Sequence, residues 1–127
     1  MANPTAPVLR PQAARAWMLA EALALGVAST VHAGLLVPGY AHPQARIAEA
    51  VIATVLVLAS VETWLRPEHA RRAAIFAQGF ALVGTLAGLL TIVLGIGPHT
   101  VPDVAYHALL LAVLVTGLTV AVRCRPV

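Results

Sequence analysis

Four long apolar runs, separated by short segments rich in Pro, constrain this chain more than any other feature. They cover residues 17–37, 47–65, 73–96 and 104–122. A helix needs roughly 20 residues, at 1.5 Å each, to cross a bilayer, and all four runs meet that length or come close to it. The connecting segments 38–43, 66–72 and 97–102 each contain Pro, which lacks an N–H and restricts the residue before it. Short connections make successive helices antiparallel neighbours. The predicted class is all-α integral membrane: an antiparallel four-helix transmembrane bundle at residues 16–123, with an N-terminal tail at 1–15 and a C-terminal tail at 124–127.

Composition agrees. The hydrophobic fraction is 60% and the charged fraction 10%, where a soluble domain carries about a quarter charged residues. Lipid is the solvent that such a chain requires. Its partner is therefore the bilayer, and the composition points to a bacterial inner membrane. The net charge is only +3, all eight basic residues are Arg, and no basic stripe is interleaved with aromatics, so no nucleic-acid partner is expected. The lone Cys124 has no partner for a disulfide or a thiolate cluster. It reads as an ordinary juxtamembrane thiol, with palmitoylation as the functional alternative.

Arg placement sets the orientation. Arg10, Arg15, Arg66, Arg71, Arg72, Arg123 and Arg125 fall on one side of the spans, and only Arg46 on the other. The positive-inside rule puts the seven, and with them both termini, in the cytoplasm. The rival reading of the first run is a signal peptide with Arg10 and Arg15 at its start and Val31-His32-Ala33 as its cleavage site. Glu21 within the run, and the run's length, favour a retained span.

Ionisable residues in lipid cost roughly 2.5–3.5 kcal/mol each at mid-helix, so those that persist face protein or water. Counted from the outer ends of the runs, His32, Glu49, Asp103 and His107 all lie within roughly two turns of the outer boundary. Asp103 and His107 are spaced i, i+4 and share a helix face, as do Glu21 and His32 at eleven apart; Glu49 and Glu62, at thirteen, do not. His42 and His99 sit in the outer loops as possible contributors. Glu21, Glu62 and Gln78 form a possible inner polar group, with Glu21 paired to Arg15 or Gln78 and Glu62 to Arg66. The order Thr100-Val101-Pro102-Asp103 reads as a capping box at the start of the fourth helix.

Two imidazoles and two carboxylates at one depth suit a divalent ion such as Zn, Fe, Mn or Cu. The leading expectation is therefore a metal site on His32, Glu49, Asp103 and His107 near the outer face. A b-type haem between His32 and His107 is the alternative, with Gly84 and Gly88 clearing space. Two further alternatives are a proton- or solute-conducting oligomer and a structural accessory subunit whose polar cluster only locks the helices. Gly84 and Gly88 also form a small-xxx-small pair of the kind that packs helices, within the bundle or between copies of the chain. No His-Glu-x-x-His, Glu-x-x-His, catalytic-triad, P-loop or Rossmann pattern appears, so the sequence does not by itself mark the chain as an enzyme.

Overall fold

A computed structural model describes residues 10–125. It contains four long helices: α1 (Pro11–His32), α2 (Pro43–Leu65), α3 (Ala70–Val93) and α4 (Val101–Arg123), with a 3-10 turn at Pro67–His69 between α2 and α3. Successive helices run antiparallel. Each is long and apolar enough to cross a membrane, and the chain is a small multi-pass membrane protein. Both described ends lie at one end of the bundle, called here the terminal end, together with the α2–α3 turn. The α1–α2 and α3–α4 loops lie at the other, the loop end.

Helix starts follow local chemistry. Pro stands in the first turn of α1, α2 and α4, where its missing N–H costs nothing. His42 caps α2 by accepting from Ala45 N–H at 3.2 Å. Thr100 and Asp103 form the capping box expected for α4, with Thr100 N–H donating to Asp103 Oδ2 at 3.0 Å.

Helix ends depart from the apolar runs. The first run continues to Val37, but α1 stops at His32; the third continues to Ile96, but α3 stops at Val93. In both places a glycine turns the chain with positive φ, Gly34 at 75° and Gly95 at 71°. Released carbonyls are then satisfied locally: Leu35 N–H bonds to Thr30 O and Ile96 N–H to Thr91 O. At its other end α1 begins at Pro11, so residues 11–15, expected in the tail, are helical. Residues 1–9 and 126–127 of the expected tails lie outside the described residues.

The polarity of the bundle is inverted relative to a water-soluble one. Leu23, Phe76 and Val93 are each about 70% exposed, whereas Glu21 and Gln78 are 0% and 1% exposed. On α2 and α4 the buried positions recur at spacings of three and four: Glu49, Ile52, Leu56, Ser60 and Thr63 on α2, and Asp103, His107, Leu110, Leu114, Gly117 and Ala121 on α4. One narrow stripe per helix faces protein, and all other faces meet lipid. The stripes are rich in Ala and Gly, which lets backbones approach closely where burial from water cannot drive assembly.

Polar groups within the stripes lie in layers. At the terminal end Arg15 donates to Thr63 Oγ1 at 2.8 Å and to the Thr63 carbonyl, and its guanidinium lies 4.3 Å from the Trp64 ring centre. Near mid-bundle Gln78 donates to Glu21, which resolves the two partners open to Glu21 in favour of Gln78. Because α1 starts early, Glu21 is the eleventh of its 22 residues, at mid-helix rather than near the inner end. Cys124 is buried and its thiol points at the Arg10 carbonyl 3.6 Å away, so burial raises its pKa above the ordinary thiol value; a Cys in this position is not presented for acylation.

Gly117 lets the Glu21–Gln78 layer form. A Cβ there would collide with Glu21 Oε1 and come within 2.6 Å of Gln78 Nε2. Gly117→Ala is therefore expected to lower stability by about 1–3 kcal/mol through overpacking. Gly79→Ala, on the same level of α3 but with open space at its Cβ, is expected to be neutral or to gain up to about 1 kcal/mol in helix propensity. Unfolding of both variants in mixed micelles checks the contrast.

Candidate functional site

The loop-end polar layer is built by three helices. His32 is the last residue of α1, Glu49 the seventh of α2, and Asp103 and His107 the third and seventh of α4. The expected convergence in depth is observed: His32 Nδ1 and Glu49 Oε2 share a hydrogen bond of 2.8 Å, and His32 Nε2 lies 3.6 Å from Asp103 Oδ1. All three side chains are buried. One imidazole thus ties α1 to both α2 and α4. In its protonated form it would complete an ion triad with two carboxylates.

These contacts do not form the expected metal centre on His32, Glu49, Asp103 and His107. Among the described residues no group of three or more His, Cys, Asp or Glu side chains is arranged to hold a metal ion. Several of the donor atoms are already committed. His32 Nδ1 is bonded to Glu49, and Asp103 Oδ2 caps α4 through Thr100, while His32 Nε2 stays 3.6 Å from Asp103 Oδ1 without a hydrogen bond. His107 Nδ1 bonds back to the Asp103 carbonyl at 2.8 Å, and its Nε2 edge lies beside Gly88 on α3.

The other expected contributors separate. His42 serves as the α2 cap, with its ring 6.4 Å from that of His32. His99 turns onto its own loop, its Nδ1–H donating to the Gly97 carbonyl at 3.1 Å. The inner group of Glu21, Gln78 and Glu62 is not one group. Glu21 and Gln78 are buried partners, while Glu62 is part-exposed beside Arg66 (3.8 Å) and His69 (3.6 Å). Between the mid-bundle and loop-end layers the stripe holds Leu25, Leu56, Leu110 and Leu114 with the single buried polar side chain of Thr85, so among the described residues no continuous row of polar side chains joins them. Along α1, Glu21 and His32 are about 16 Å apart at 1.5 Å per residue.

Gly84 and Gly88 look into the bundle. A Cβ on Gly84 would come within 2.7 Å of Ile52 Cδ1, and one on Gly88 within 3.3 Å of His107 Nε2. The small-xxx-small face therefore packs against α2 and α4 of the same chain rather than being free for a second copy.

A feature that sequence reasoning missed adjoins this layer. A cavity of about 630 Å³ lies at the loop end between α2, α3 and α4. Several residues of its lining are small: Ala45 and Ala48 on α2, Gly84, Ala87 and Gly88 on α3. Exposed Val51 and Phe80 at its edge put its mouth between α2 and α3, on a lipid-facing side. The walls are mostly apolar. Its polar members include Glu49, Thr85, Tyr106 and His107. Three of these carry a buried atom with no hydrogen-bond partner: Glu49 Oε1, Thr85 Oγ1 and Tyr106 OH. Such atoms are costly to leave unsatisfied, by about 1–3 kcal/mol each. The only signals in the sequence were the small residues of α3 and the Tyr106-His107 pair.

The His32–Glu49 contact is expected to carry measurable coupling. Single His32→Ala and Glu49→Ala changes should each destabilise the protein, and the double-mutant cycle should return about 1–2 kcal/mol of coupling. The exposed Glu62–Arg66 pair should return about 0.5 kcal/mol or less in the same cycle.

No family model, no curated protein and no solved structure matches this chain.

Proposed function

We propose that this protein binds a small membrane-soluble organic molecule in the loop-end cavity, with the bundle set in a cell membrane and both termini in the cytoplasm. The observation that carries the reading is that three residues lining one apolar cavity, Glu49 on α2, Thr85 on α3 and Tyr106 on α4, each carry a buried polar atom without a partner. A mostly apolar concavity with a few converging polar groups is the usual form of a small-molecule site. Its position between helices of a bundle, with a mouth toward lipid, suits a ligand that arrives through the bilayer. The His32–Glu49–Asp103 contacts then act as a brace that holds Glu49 at the cavity wall. The orientation rests on seven of eight Arg residues lying at the terminal end, and it puts the cavity in the outer half of the membrane.

Photolabelling with a diazirine-bearing long-chain alcohol tests the site. Label is expected on peptides containing Thr85, Gly88 and His107, and excess unlabelled alcohol should compete it away. Label spread without competition over lipid-facing positions such as Leu23, Phe76 and Leu109 would overturn the reading. Reporter fusions test the orientation: a fluorescent protein at the C-terminus should mature, and alkaline phosphatase inserted in the 38–43 loop should be active. The opposite pattern reverses the placement.

A further inference from the structure

The geometry points to a ligand whose head group donates hydrogen bonds: a hydroxyl on an apolar, ring-sized body. This rests on the cavity being a binding site and adds the chemistry it selects.

His107 supplies the first constraint. Its Nδ1 lies 2.8 Å from the Asp103 backbone carbonyl oxygen. A carbonyl only accepts, so Nδ1 carries the hydrogen, and the tautomer this selects has its lone pair at Nε2. That nitrogen faces the cavity wall next to Gly88, which has no side chain to cover it.

Glu49 supplies the second. Its Oε2 is held by His32, and its Oε1 is buried without a partner. With the Glu49 carboxyl ionised, or protonated on Oε2, Oε1 is an acceptor. The residues lining the cavity thus carry one acceptor on α2, the buried Glu49 Oε1, and another on α4, His107 Nε2.

Thr85 and Tyr106 complete the set. Their hydroxyls either donate or accept, so they adapt to any polar head. The selection comes from the two fixed acceptors. An ether, ester or ketone leaves both of them stranded, whereas a hydroxyl satisfies at least one and passes a hydrogen bond through the adaptable hydroxyls. Sites built to bond a hydroxyl discriminate strongly against analogues that lack it, because their own buried groups are then left unpaired. A phosphate head would bring negative charge against the Glu49 carboxyl, which disfavours a phospholipid head group in this position. Tyr106 and Phe80 among the lining residues suit an aromatic body.

A matched pair of probes tests the selection. The full-length protein, ¹⁵N-labelled at His and placed in phosphatidylcholine nanodiscs, is titrated with para-hexylphenol and with its methyl ether, para-hexylanisole. The phenol is expected to move the His107 Nε2 resonance saturably, and to bind at least about tenfold more tightly than the ether. Gly88→Ala, which puts a methyl group 3.3 Å from Nε2, should reduce this preference while leaving the fold intact. Equal saturable binding of phenol and ether overturns the selection but leaves the binding site standing. It would mean that the cavity takes any apolar body, a lipid acyl chain included. No saturable binding of either probe overturns the site itself and the selection with it. An unliganded His107 protonated at Nε2 instead of Nδ1 also overturns the inference.

Discussion

Inside a bilayer there is no water to satisfy a polar group, so every such group must find its partner within the protein. That constraint organises the whole bundle. It accounts for the inverted polarity, with Phe76 and Val93 outside and Glu21 and Gln78 inside. It also explains why each helix commits only a narrow stripe to the interior. The stripes must hold polar side chains and must also approach one another closely. Small residues meet both needs, and Gly117 shows the two together by giving Glu21 and Gln78 the space in which they pair.

The same constraint makes unpartnered buried atoms informative. The Arg15–Thr63 contacts and the α4 capping box are locally closed. The Glu21–Gln78 pair leaves Glu21 Oε1 and Gln78 Oε1 without partners, and the loop-end layer is not closed either. His32 is faced by two carboxylates, yet the side of Glu49 turned away from it has no partner, nor have Thr85 Oγ1 and Tyr106 OH. Glu49, Thr85 and Tyr106 line an opening beside the layer. Ala and Gly at 45, 48, 84, 87 and 88 leave that opening unfilled, although larger side chains at the same positions would have closed it. A layer serving only to lock the helices would not require such a space beside it.

Much of this architecture was legible in the sequence because it depends on quantities that a single helix carries. Run length gave the four spans. Three- and four-residue spacing placed Asp103 with His107, and Glu21 with His32, on shared faces, and set Glu62 apart from Glu49. Depth counted from the outer ends brought His32, Glu49, Asp103 and His107 to one level. Thr100 and Asp103 declared their capping box, and Glu62 its exposed neighbour Arg66. Each of these follows from rise, turn or local hydrogen bonding within one element.

The tertiary structure decided whatever depends on how helices are rotated and offset against one another. Positive φ at Gly34 and Gly95 ended α1 and α3 before their apolar runs did, and the early start of α1 moved Glu21 to mid-helix. Helix rotation gave His32 to Glu49 and Asp103, and turned His107 toward Gly88, so that four residues at one depth did not become one metal-holding group. It also turned Gly84 and Gly88 inward and opened the cavity between α2, α3 and α4. Composition and spacing therefore determined that this chain spans a membrane four times with polar residues facing inward. Which of those residues meet, and what space they leave, was decided by side-chain fit between helices, because spacing along one helix carries no information about the rotation of its neighbour.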